Sequence, residues 1–343
     1  MFKKLVGGYT PAIPGPNALS AIETVTLGGV RQSYTIRSHD RSHPILLFLH
    51  GGPGGTEHGA LFRQNAELEK HFTVVHLDQR GAGKSYRDDI PPQTMTLTRI
   101  VDDAHELILH LCQQLGQQKV FVFGHSWGTA VGLVLAYRYP EVVHAYIGVN
   151  QVVNRAEEES ISYSFALAEA RLRRNRKVEQ ELMRIGAPVN GMFDSIRDTI
   201  SARDCLGKVG GVTADPKHLM RWAISNVLAP EFTWPERLRY LKALKFSMNH
   251  AWSEMAACNF PQQIKEIKVP VFFVAGRKDR VTNAALTKQY LNQLKAPYKQ
   301  LLLLEQAGHL ANYEQPELFC SFLIDTVRPV GLRTDAEKPR IAN

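Results

Sequence analysis

Gly124-His125-Ser126-Trp127-Gly128 decides the fold, because it stands between a short apolar run and a longer helix-like segment. Residues 120–123 have the β-branched and aromatic composition of a buried strand, and residues 127–139 are typical of a helix. The pentapeptide fits the G-x-S-x-G pattern, in which a sharp strand-to-helix turn presents a serine hydroxyl away from the sheet. A serine becomes a strong nucleophile only when a base removes its proton, so Ser126 is predicted to face an imidazole. A chance match at an ordinary turn is the alternative, and the partner residues must decide between the two.

Asp279 and His309 are the predicted partners of Ser126. Asp279 follows the apolar residues 271–275 through a Gly-Arg-Lys turn, and His309 follows the apolar residues 301–304. The order nucleophile, acid, histidine is the one that accompanies this type of serine turn. Because the carboxyl ends of strands in an open parallel sheet form one crevice, the three residues are expected to converge there. The predicted roles are nucleophile for Ser126, general base and acid for His309, and orientation of the histidine for Asp279.

Other acids and histidines fit these roles less well. The acids before the nucleophile lie in solvated-looking segments, and Glu305 lies on the approach to His309 rather than after a strand of its own. The remaining histidines have structural explanations as loop, flanking or helix residues. The competing residues are Asp88, Asp89, Asp102, Asp103, Glu305, His50, His105 and His125.

A glycine-rich loop, His50-Gly51-Gly52-Pro53-Gly54-Gly55, directly follows another predicted strand. Glycines free the backbone to point N–H groups at a reacting carbonyl, and such donors stabilise the oxyanion of a tetrahedral intermediate. We predict that the amides of Gly52 and Trp127 form this oxyanion hole. A plain glycine turn is the alternative, whereas the phosphate-binding patterns G-x-x-x-x-G-K-[ST] and G-x-G-x-x-G do not occur in the sequence.

Apolar runs alternate with helix-like segments in the first part of the chain, which predicts a parallel sheet with crossover helices. This alternation stops after residue 149 and resumes at residue 269. The predicted strands are residues 45–49, 72–77, 120–123, 142–149, 269–275 and 301–304, and the predicted core helices are residues 98–115 and 127–139.

Residues 154–258 are charged and helix-like, which predicts a helical lid inserted into the core. The first part of the core is then residues 1–153 and the second part residues 259–343. One amphipathic helix is predicted over residues 313–327, with a loosely held polar tail from about residue 328. Breaks inside the lid are expected at Gly186-Ala187-Pro188, from Gly207 to Gly211, and at Pro230 and Pro235.

Composition places the chain among ordinary globular proteins. Of its 343 residues, 44% are apolar and 22% are charged, which allows a large core and excludes disordered and fibrous classes. The four cysteines are widely spaced, so we expect reduced thiols and neither a metal nor another cofactor. No apolar run reaches the ~20 residues of a membrane-spanning helix, and no signal-peptide core develops. We therefore expect a soluble, cytoplasmic protein with no membrane partner.

The net charge of +8 is compatible with a polyanionic partner. The densest basic run, residues 171–177, is followed at once by Glu179 and Glu181, as on a solvated helix. No recognised nucleic-acid motif accompanies it, so we expect no nucleic-acid partner. The sequence leaves the oligomeric state open.

Taken together, three motifs resemble the proline iminopeptidase group of α/β-hydrolases. The resemblance extends to the segments 276–279 and 307–309, and it covers residues of about 20–150 and 260–327. It implies the α/β-hydrolase fold, a mostly parallel central sheet flanked by helices with an inserted helical lid. It also implies the same triad and oxyanion hole, and a structural role for Arg80 in tying loops together. The three motifs are His50-Gly51-Gly52-Pro53-Gly54, Asp78-Gln79-Arg80-Gly81-Ala82-Gly83-Lys84-Ser85 and Gly124-His125-Ser126-Trp127-Gly128-Thr129.

The resemblance further implies a serine hydrolase that removes an N-terminal residue, often proline, from short peptides. Members of this group recognise a free amine through lid carboxylates, and Glu157, Glu158 and Glu254 are the candidates for that role, with Glu159 and Glu231 also available. A carboxylesterase, lactonase or thioesterase acting on a small acyl substrate is the alternative, because the triad chemistry is shared. A catalytically silent binding protein of the same fold is a remote third possibility.

Overall fold

The central element of the protein is a twisted eight-stranded sheet, seen in a computed structural model that describes residues 7–333. The strands are β1 Leu19–Leu27, β2 Val30–Ser38, β3 Ile45–Leu49, β4 Thr73–Leu77, β5 Val120–His125, β6 Val143–Val149, β7 Val271–Gly276 and β8 Lys299–Leu304. Their order across the sheet is β1-β2-β4-β3-β5-β6-β7-β8. Strand β2 pairs antiparallel with both neighbours, and every other pairing is parallel.

Helices cover both faces of this sheet. The core helices are α1 His58–Gln64, α2 Leu97–Leu115, α3 Trp127–Arg138, α9 Phe260–Gln263, α10 Ala284–Gln293, α11 Ala311–Glu314, α12 Pro316–Phe322 and α13 Arg328–Leu332. Five more lie between β6 and β7, namely α4 Arg155–Leu172, α5 Arg176–Ile185, α6 Ile196–Lys208, α7 Pro216–Val227 and α8 Trp234–Ala256. None of the helices within residues 7–333 is long and apolar enough to span a bilayer.

The central strands are apolar on both faces because each face carries its own layer of helices. In β3, Leu47 and Leu49 pack into the core shared with α2, α3 and α10, whereas Leu46 and Phe48 pack into the core shared with α1 and α12. Side chains alternate between the two faces of a strand, so one apolar run supplies both cores. This architecture confirms the predicted α/β-hydrolase fold class, including the strands that frame Ser126.

The β1–β2 hairpin is the part of the sheet that our sequence analysis did not predict. Both strands contain many polar residues, and Gly28 and Gly29, both with positive φ, form the turn between them. Gln32 and Thr35 are fully buried in β2 although they are polar. Apolar periodicity therefore misses a hairpin whose strands mix buried polar side chains with the core residues Leu27, Tyr34 and Ile36.

The C-terminal part of the core differs from the single helix predicted over residues 313–327. Pro316 has no N–H group to donate, and the helix breaks at Gln315, which lies outside the helical region at φ −128°. After α12 the chain continues through a π-helical turn, Leu323–Val327, into α13. The prediction of a loose tail from residue 328 is wrong for α13, because Gly331 packs closely against Phe121 of the sheet. Residues 334–343 lie outside the described residues.

The segment between β6 and β7 is helical, and its breaks fall partly where the sequence predicts. Gly186 ends α5 with a φ of 78°, and Pro230 lies in the turn between α7 and α8. Pro235, however, occupies the first turn of α8, where its missing N–H costs no helical hydrogen bond. Thr233 and Glu236 cap this helix reciprocally, so a 23-residue helix begins where we predicted a break.

Candidate active site

Ser126 occupies a strained turn between β5 and α3. Its backbone adopts φ 52° and ψ −120°, a conformation that L-residues rarely hold without surrounding support. Tight packing supplies that support, because a Cβ on Gly128 would lie 1.9 Å from the carbonyl oxygen of Leu49. A Cβ on Gly124 would lie 2.3 Å from the carbonyl oxygen of Gly128. The two glycines of the motif therefore let strand and helix approach closely enough to hold the serine.

The structure brings Ser126, His309 and Asp279 together at the carboxyl ends of β5, β8 and β7. The Oγ atom of Ser126 lies 2.9 Å from Nε2 of His309. The Nδ1 atom of the same ring lies 2.9 Å from Oδ2 of Asp279. This is the hydrogen-bonded order that a serine nucleophile, a base and an orienting acid require.

Asp279 is fully buried and is held by four donors besides His309. Oδ1 accepts the backbone N–H groups of Val281 and Thr282 at 2.7 and 3.1 Å. Oδ2 accepts the hydroxyl of Thr282 and the side-chain amide of Asn150 at 2.7 and 2.6 Å. Burial alone would raise the pKa of Asp279, but the charge of His309 and these hydrogen bonds outweigh it and lower the pKa. The carboxylate therefore stays ionised next to the imidazole.

The imidazole ring of His309 is neutral at neutral pH. Burial lowers its pKa below the ordinary value of 6.5, and the attraction of Asp279 offsets only part of that effect. A neutral ring with Nδ1–H directed at Asp279 leaves the lone pair of Nε2 facing Ser126. The arrangement is that of a general base ready to accept the serine proton.

The glycine loop after β3 lies against the serine turn. A Cβ on Gly51 would lie 3.3 Å from Cβ of Ser126, so the loop and the nucleophile are in close contact. Gly52 has a φ of 115°, a conformation that favours glycine, and precedes a cis bond to Pro53. Within the described residues, the backbone N–H groups of Gly52 and Trp127 donate to no acceptor. Both amides are therefore available as the predicted oxyanion donors.

Sequence reasoning missed a buried ion pair behind Ser126, because it treated His125 as a flanking residue and did not consider Glu57. Oε1 of Glu57 lies 3.0 Å from Nδ1 of His125 and accepts the N–H of Gly51 at 2.8 Å. Nε2 of His125 donates to the carbonyl oxygen of His309 at 2.8 Å. Both ring nitrogens face acceptors, so the ring carries both protons and is cationic. Although burial opposes the charge, Glu57 raises the pKa of His125.

A cavity of about 680 Å³, here called the active-site cavity, opens above Ser126 and His309. Its floor is formed by the glycine loop and the serine turn, and its walls come from α6, α7 and α8. The wall is mainly apolar, which is typical of sites that bind small organic molecules. The apolar wall residues include Leu219, Trp222, Leu244, Met248, Trp252 and Met255.

None of the three predicted amine-binding glutamates forms part of the cavity wall, and this corrects the sequence-based assignment. Glu157 is exposed and contacts Asn154. Glu158 is buried in an ion pair with Arg155. The carboxylate of Glu254 accepts the backbone N–H of Leu97, the first residue of α2. The position of each glutamate on its helix directs its side chain away from the cavity. The presence of glutamates in the lid sequence does not show this.

Two other carboxylates, Glu57 and Asp204, do lie on the cavity wall within the described residues. Glu57 is already engaged by His125 and Gly51. Asp204 lies at the open end and pairs with Lys208 one helical turn away. Sequence reasoning considered neither residue.

The segment from Asp78 to Ser85 has the structural role that the sequence predicts. Nε and Nη2 of Arg80 donate to both oxygens of Asp103, and Nη2 also donates to the carbonyl oxygens of Leu27 and Gly28. Arg80 therefore joins the β1–β2 turn to α2, away from the reacting groups.

His58, His76 and Asp78 form the one described group of side chains whose geometry could hold a metal ion. Oδ1 of Asp78 already accepts hydrogen bonds from His58 and Thr56, and Oδ2 accepts the N–H of Lys84. Burial lowers the pKa of His76 well below its ordinary value, so this ring is neutral. Since the carboxylate is satisfied by protein donors, we assign no metal to this group.

Comparison with known proteins agrees with this geometry. The family model of the α/β-hydrolase fold matches residues 44–316. The chain belongs to this family. A probable aminopeptidase of Bacillus subtilis, YbaC, is 32% identical over 91% of this α/β-hydrolase and 97% of its own length. The proline iminopeptidase of Heyndrickxia coagulans is 28% identical over 89% of this chain and 98% of its own.

Solved structures show the same fold. The crystal structure of a proline iminopeptidase from Mycobacterium smegmatis superposes with a TM-score of 0.66 at 20% identity, covering 91% of this chain and 99% of that one. Together with the relatives, this places the α/β-hydrolase in the proline iminopeptidase-like group of serine hydrolases, as its motifs predict.

Proposed function

We propose that this α/β-hydrolase cleaves its substrate through an acyl-enzyme on Ser126, and that the bond cleaved is the first peptide bond of a short peptide. The observation that carries the proposal is the continuous hydrogen-bonded line from Oγ of Ser126 through His309 to Asp279, with both contacts at 2.9 Å. This line lies at the floor of the active-site cavity, whose volume is in the range of small-molecule sites.

The proposed reaction begins when Nε2 of His309 takes the proton of Ser126 and Oγ attacks the carbonyl carbon. The oxygen of the tetrahedral intermediate receives hydrogen bonds from the amides of Gly52 and Trp127. His309 then gives its proton to the leaving amine, and Asp279 stabilises the imidazolium throughout. A water molecule, activated by the same imidazole, releases the acid from Ser126.

The peptide substrate is supported by the named relatives, which align over about nine-tenths of the chain and are an aminopeptidase and a proline iminopeptidase. In this proposal, the helices of residues 154–258 act as a lid and select the substrate. The partner is then a short peptide or another small molecule, with no nucleic acid and no membrane involved.

Hydrolysis of a carboxylic ester, lactone or thioester is the second candidate, and a feature of the cavity favours it. A free amine would have to share each of the two described wall carboxylates with a cation, because Glu57 already pairs with His125 and Asp204 with Lys208. The triad chemistry is the same for either leaving group, so the cavity wall decides between them. The intact line of three side chains argues against a silent binding protein.

The decisive experiment compares dye release from proline para-nitroanilide and from a short-chain para-nitrophenyl ester. Serine-dependent cleavage of the amide would support the aminopeptidase, and cleavage of the ester alone would select the second candidate. Ser126→Ala should lower turnover of either substrate by several orders of magnitude while thermal unfolding is unchanged. Activity retained in Ser126→Ala would refute the nucleophile, and a matched Ser42→Ala variant, on the exposed loop before β3, should behave as wild type.

A further inference from the structure

The active-site cavity contains an arginine that the proposed reaction does not use. Arg155, Arg203 and Lys208 are the cations on its wall among the described lysines and arginines. Arg155 is completely buried, and Lys208 lies at the open end paired with Asp204. Arg203, on α6, borders the cavity with 22% of its side-chain surface exposed.

Arg203 uses only part of its hydrogen-bonding capacity. Its Nη2 atom donates to Glu159, while Nε and Nη1 donate to none of the described residues. A guanidinium presents its donors as a planar fork that matches the two oxygens of a carboxylate. The remaining donors of Arg203 can therefore bind an anion that enters the cavity.

The charges beneath the cavity leave a positive balance at Arg203. Arg155 and Arg203 share one oxygen of Glu159, and Arg155 also pairs with Glu158. Burial raises the pKa of Glu158 to about 7, although Arg155 opposes that effect, so this carboxyl is partly neutral at neutral pH. Two cationic arginines are therefore paired with one ionised carboxylate, Glu159, and with one that is only partly ionised, Glu158. An anion that enters the cavity would compensate the excess positive charge.

Arg203 also lies within electrostatic reach of the reacting groups. It borders the same cavity as Ser126 and His309, and its positive charge contributes to lowering the pKa of His309. In a dipeptide, the terminal carboxylate carbon lies two bonds from the nitrogen of the scissile bond, or about 2.5 Å. The terminal carboxylate of such a substrate therefore lies close to the scissile bond, in the cavity that Arg203 also borders.

We propose that Arg203 binds a carboxylate group of the substrate, so that the preferred substrates carry a free carboxylate within a few bonds of the scissile bond. For a peptide this is the C-terminal carboxylate of a dipeptide, and for an ester it is a carboxylate on the acyl part. The inference rests on the proposed hydrolase function. It deepens that function, because neither the triad nor the relatives' names specify an acidic substrate.

Binding is tested first, separately from turnover, with Ser126→Ala protein and isothermal titration. The probes are prolyl-glycine and prolyl-glycinamide, together with monomethyl glutarate and dimethyl glutarate. Each pair differs by one carboxylate, placed on the leaving side in the peptides and on the acyl side in the esters. We expect the acidic member of at least one pair to bind about ten- to a hundredfold more tightly, the range of a hydrogen-bonded ion pair.

Substitution of Arg203 then shows whether this residue carries the preference. In the Ser126→Ala background, Arg203→Gln should abolish the preference for the acidic probe while leaving the neutral probe's affinity unchanged. Arg203→Lys should retain part of it, because lysine keeps the charge without the fork. Arg197→Gln, on the exposed side of the same helix, should keep the full preference. Thermal unfolding of each variant separates loss of binding from loss of fold.

The outcomes distinguish this inference from the proposed hydrolysis. Equal binding of both members in both pairs, or a preference that survives Arg203→Gln in a folded protein, would overturn the carboxylate site. In that case Arg203 serves only as the ion-pair partner of Glu159. The Ser126→Ala protein could prefer the acidic probes while the wild-type protein hydrolyses none of the probes. This result would support the carboxylate site and overturn the hydrolase proposal instead.

Discussion

Glu57 and His125 form an ion pair beneath the candidate nucleophile, with Oε1 and Nδ1 3.0 Å apart and both side chains almost fully buried. The pair connects three loops. Glu57 holds the N–H of Gly51 in the glycine loop, His125 is the neighbour of Ser126, and His125 Nε2 donates to the backbone of His309. The relative position of nucleophile, base and oxyanion loop therefore depends on one buried charge pair.

Glu57→Gln should destabilise the protein by about 2–4 kcal/mol near pH 6, because it removes one partner of a buried pair. His125 has a raised pKa, so its contribution is complete below its ordinary value of 6.5 and is lost as the pH rises through the raised value. Glu57 has a lowered pKa because the charge of His125 and the hydrogen bonds outweigh burial, so its contribution is lost at acidic pH below 4.5. Urea unfolding at several pH values should show the largest difference in unfolding free energy between the variant and the wild type between about pH 4.5 and 6.5.

A gap that grows steadily above pH 7 would contradict the cationic state of His125. The matched control is Glu67→Gln, because the exposed side chain of Glu67 pairs with Lys70 within the 3-10 helix Ala66–Lys70 that follows α1. Its effect should stay within about 0.5 kcal/mol at every pH, as for other surface ion pairs.

Asp279→Asn should reduce kcat by about three to four orders of magnitude, because an amide at this position favours the wrong tautomer of His309. Steady-state kinetics with the better substrate checks this. Glu305→Gln, an exposed acid on the loop that precedes His309, should remain near wild type. Near-normal kcat in Asp279→Asn would mean that another acid orients the histidine.

The acid limb of the profile of kcat/KM against pH should have its midpoint below pH 6.5. Burial lowers the pKa of His309 and Asp279 restores only part of it, and the rate rises as the ring loses its proton and becomes a base. An ester substrate is preferable for this measurement because it has no amine that titrates. A midpoint above pH 7 would show that the attraction of Asp279 changes the pKa of His309 more than burial does.

Gly128→Ala should destabilise the fold by about 1–3 kcal/mol or prevent folding, since the added Cβ would lie 1.9 Å from the backbone of Leu49. Gly207→Ala is the matched control inside α6, where the nearest atom to an added Cβ is 3.9 Å away. The control should gain about 0.5–1 kcal/mol from helix propensity. Thermal unfolding of the two variants is the comparison, and equal melting temperatures would contradict the close packing of the serine turn.

Ser126, Asp279 and His309 could be chosen from the sequence because each follows an apolar strand. The strands before Ser126 and Asp279 are fully buried, and the edge strand β8 before His309 is partly buried. Such strands are visible as continuous apolar runs, and their parallel arrangement places their carboxyl ends together. The same reasoning located the glycine loop at Gly52. The β1–β2 hairpin escaped it because polar residues interrupt the apolar pattern there.

The sequence by itself therefore determined the fold class and the three residues that converge at Ser126. The tertiary structure alone decided what surrounds them. Glu57 and His125 are 68 residues apart in the chain, and no local pattern connects them. The predicted lid glutamates point away from the cavity, whereas Arg203 borders it, because the packing of α4, α6 and α8 on the core sets which helical face looks inward. Local patterns record burial and turns, but long-range contacts between charged side chains exist only once the chain has folded.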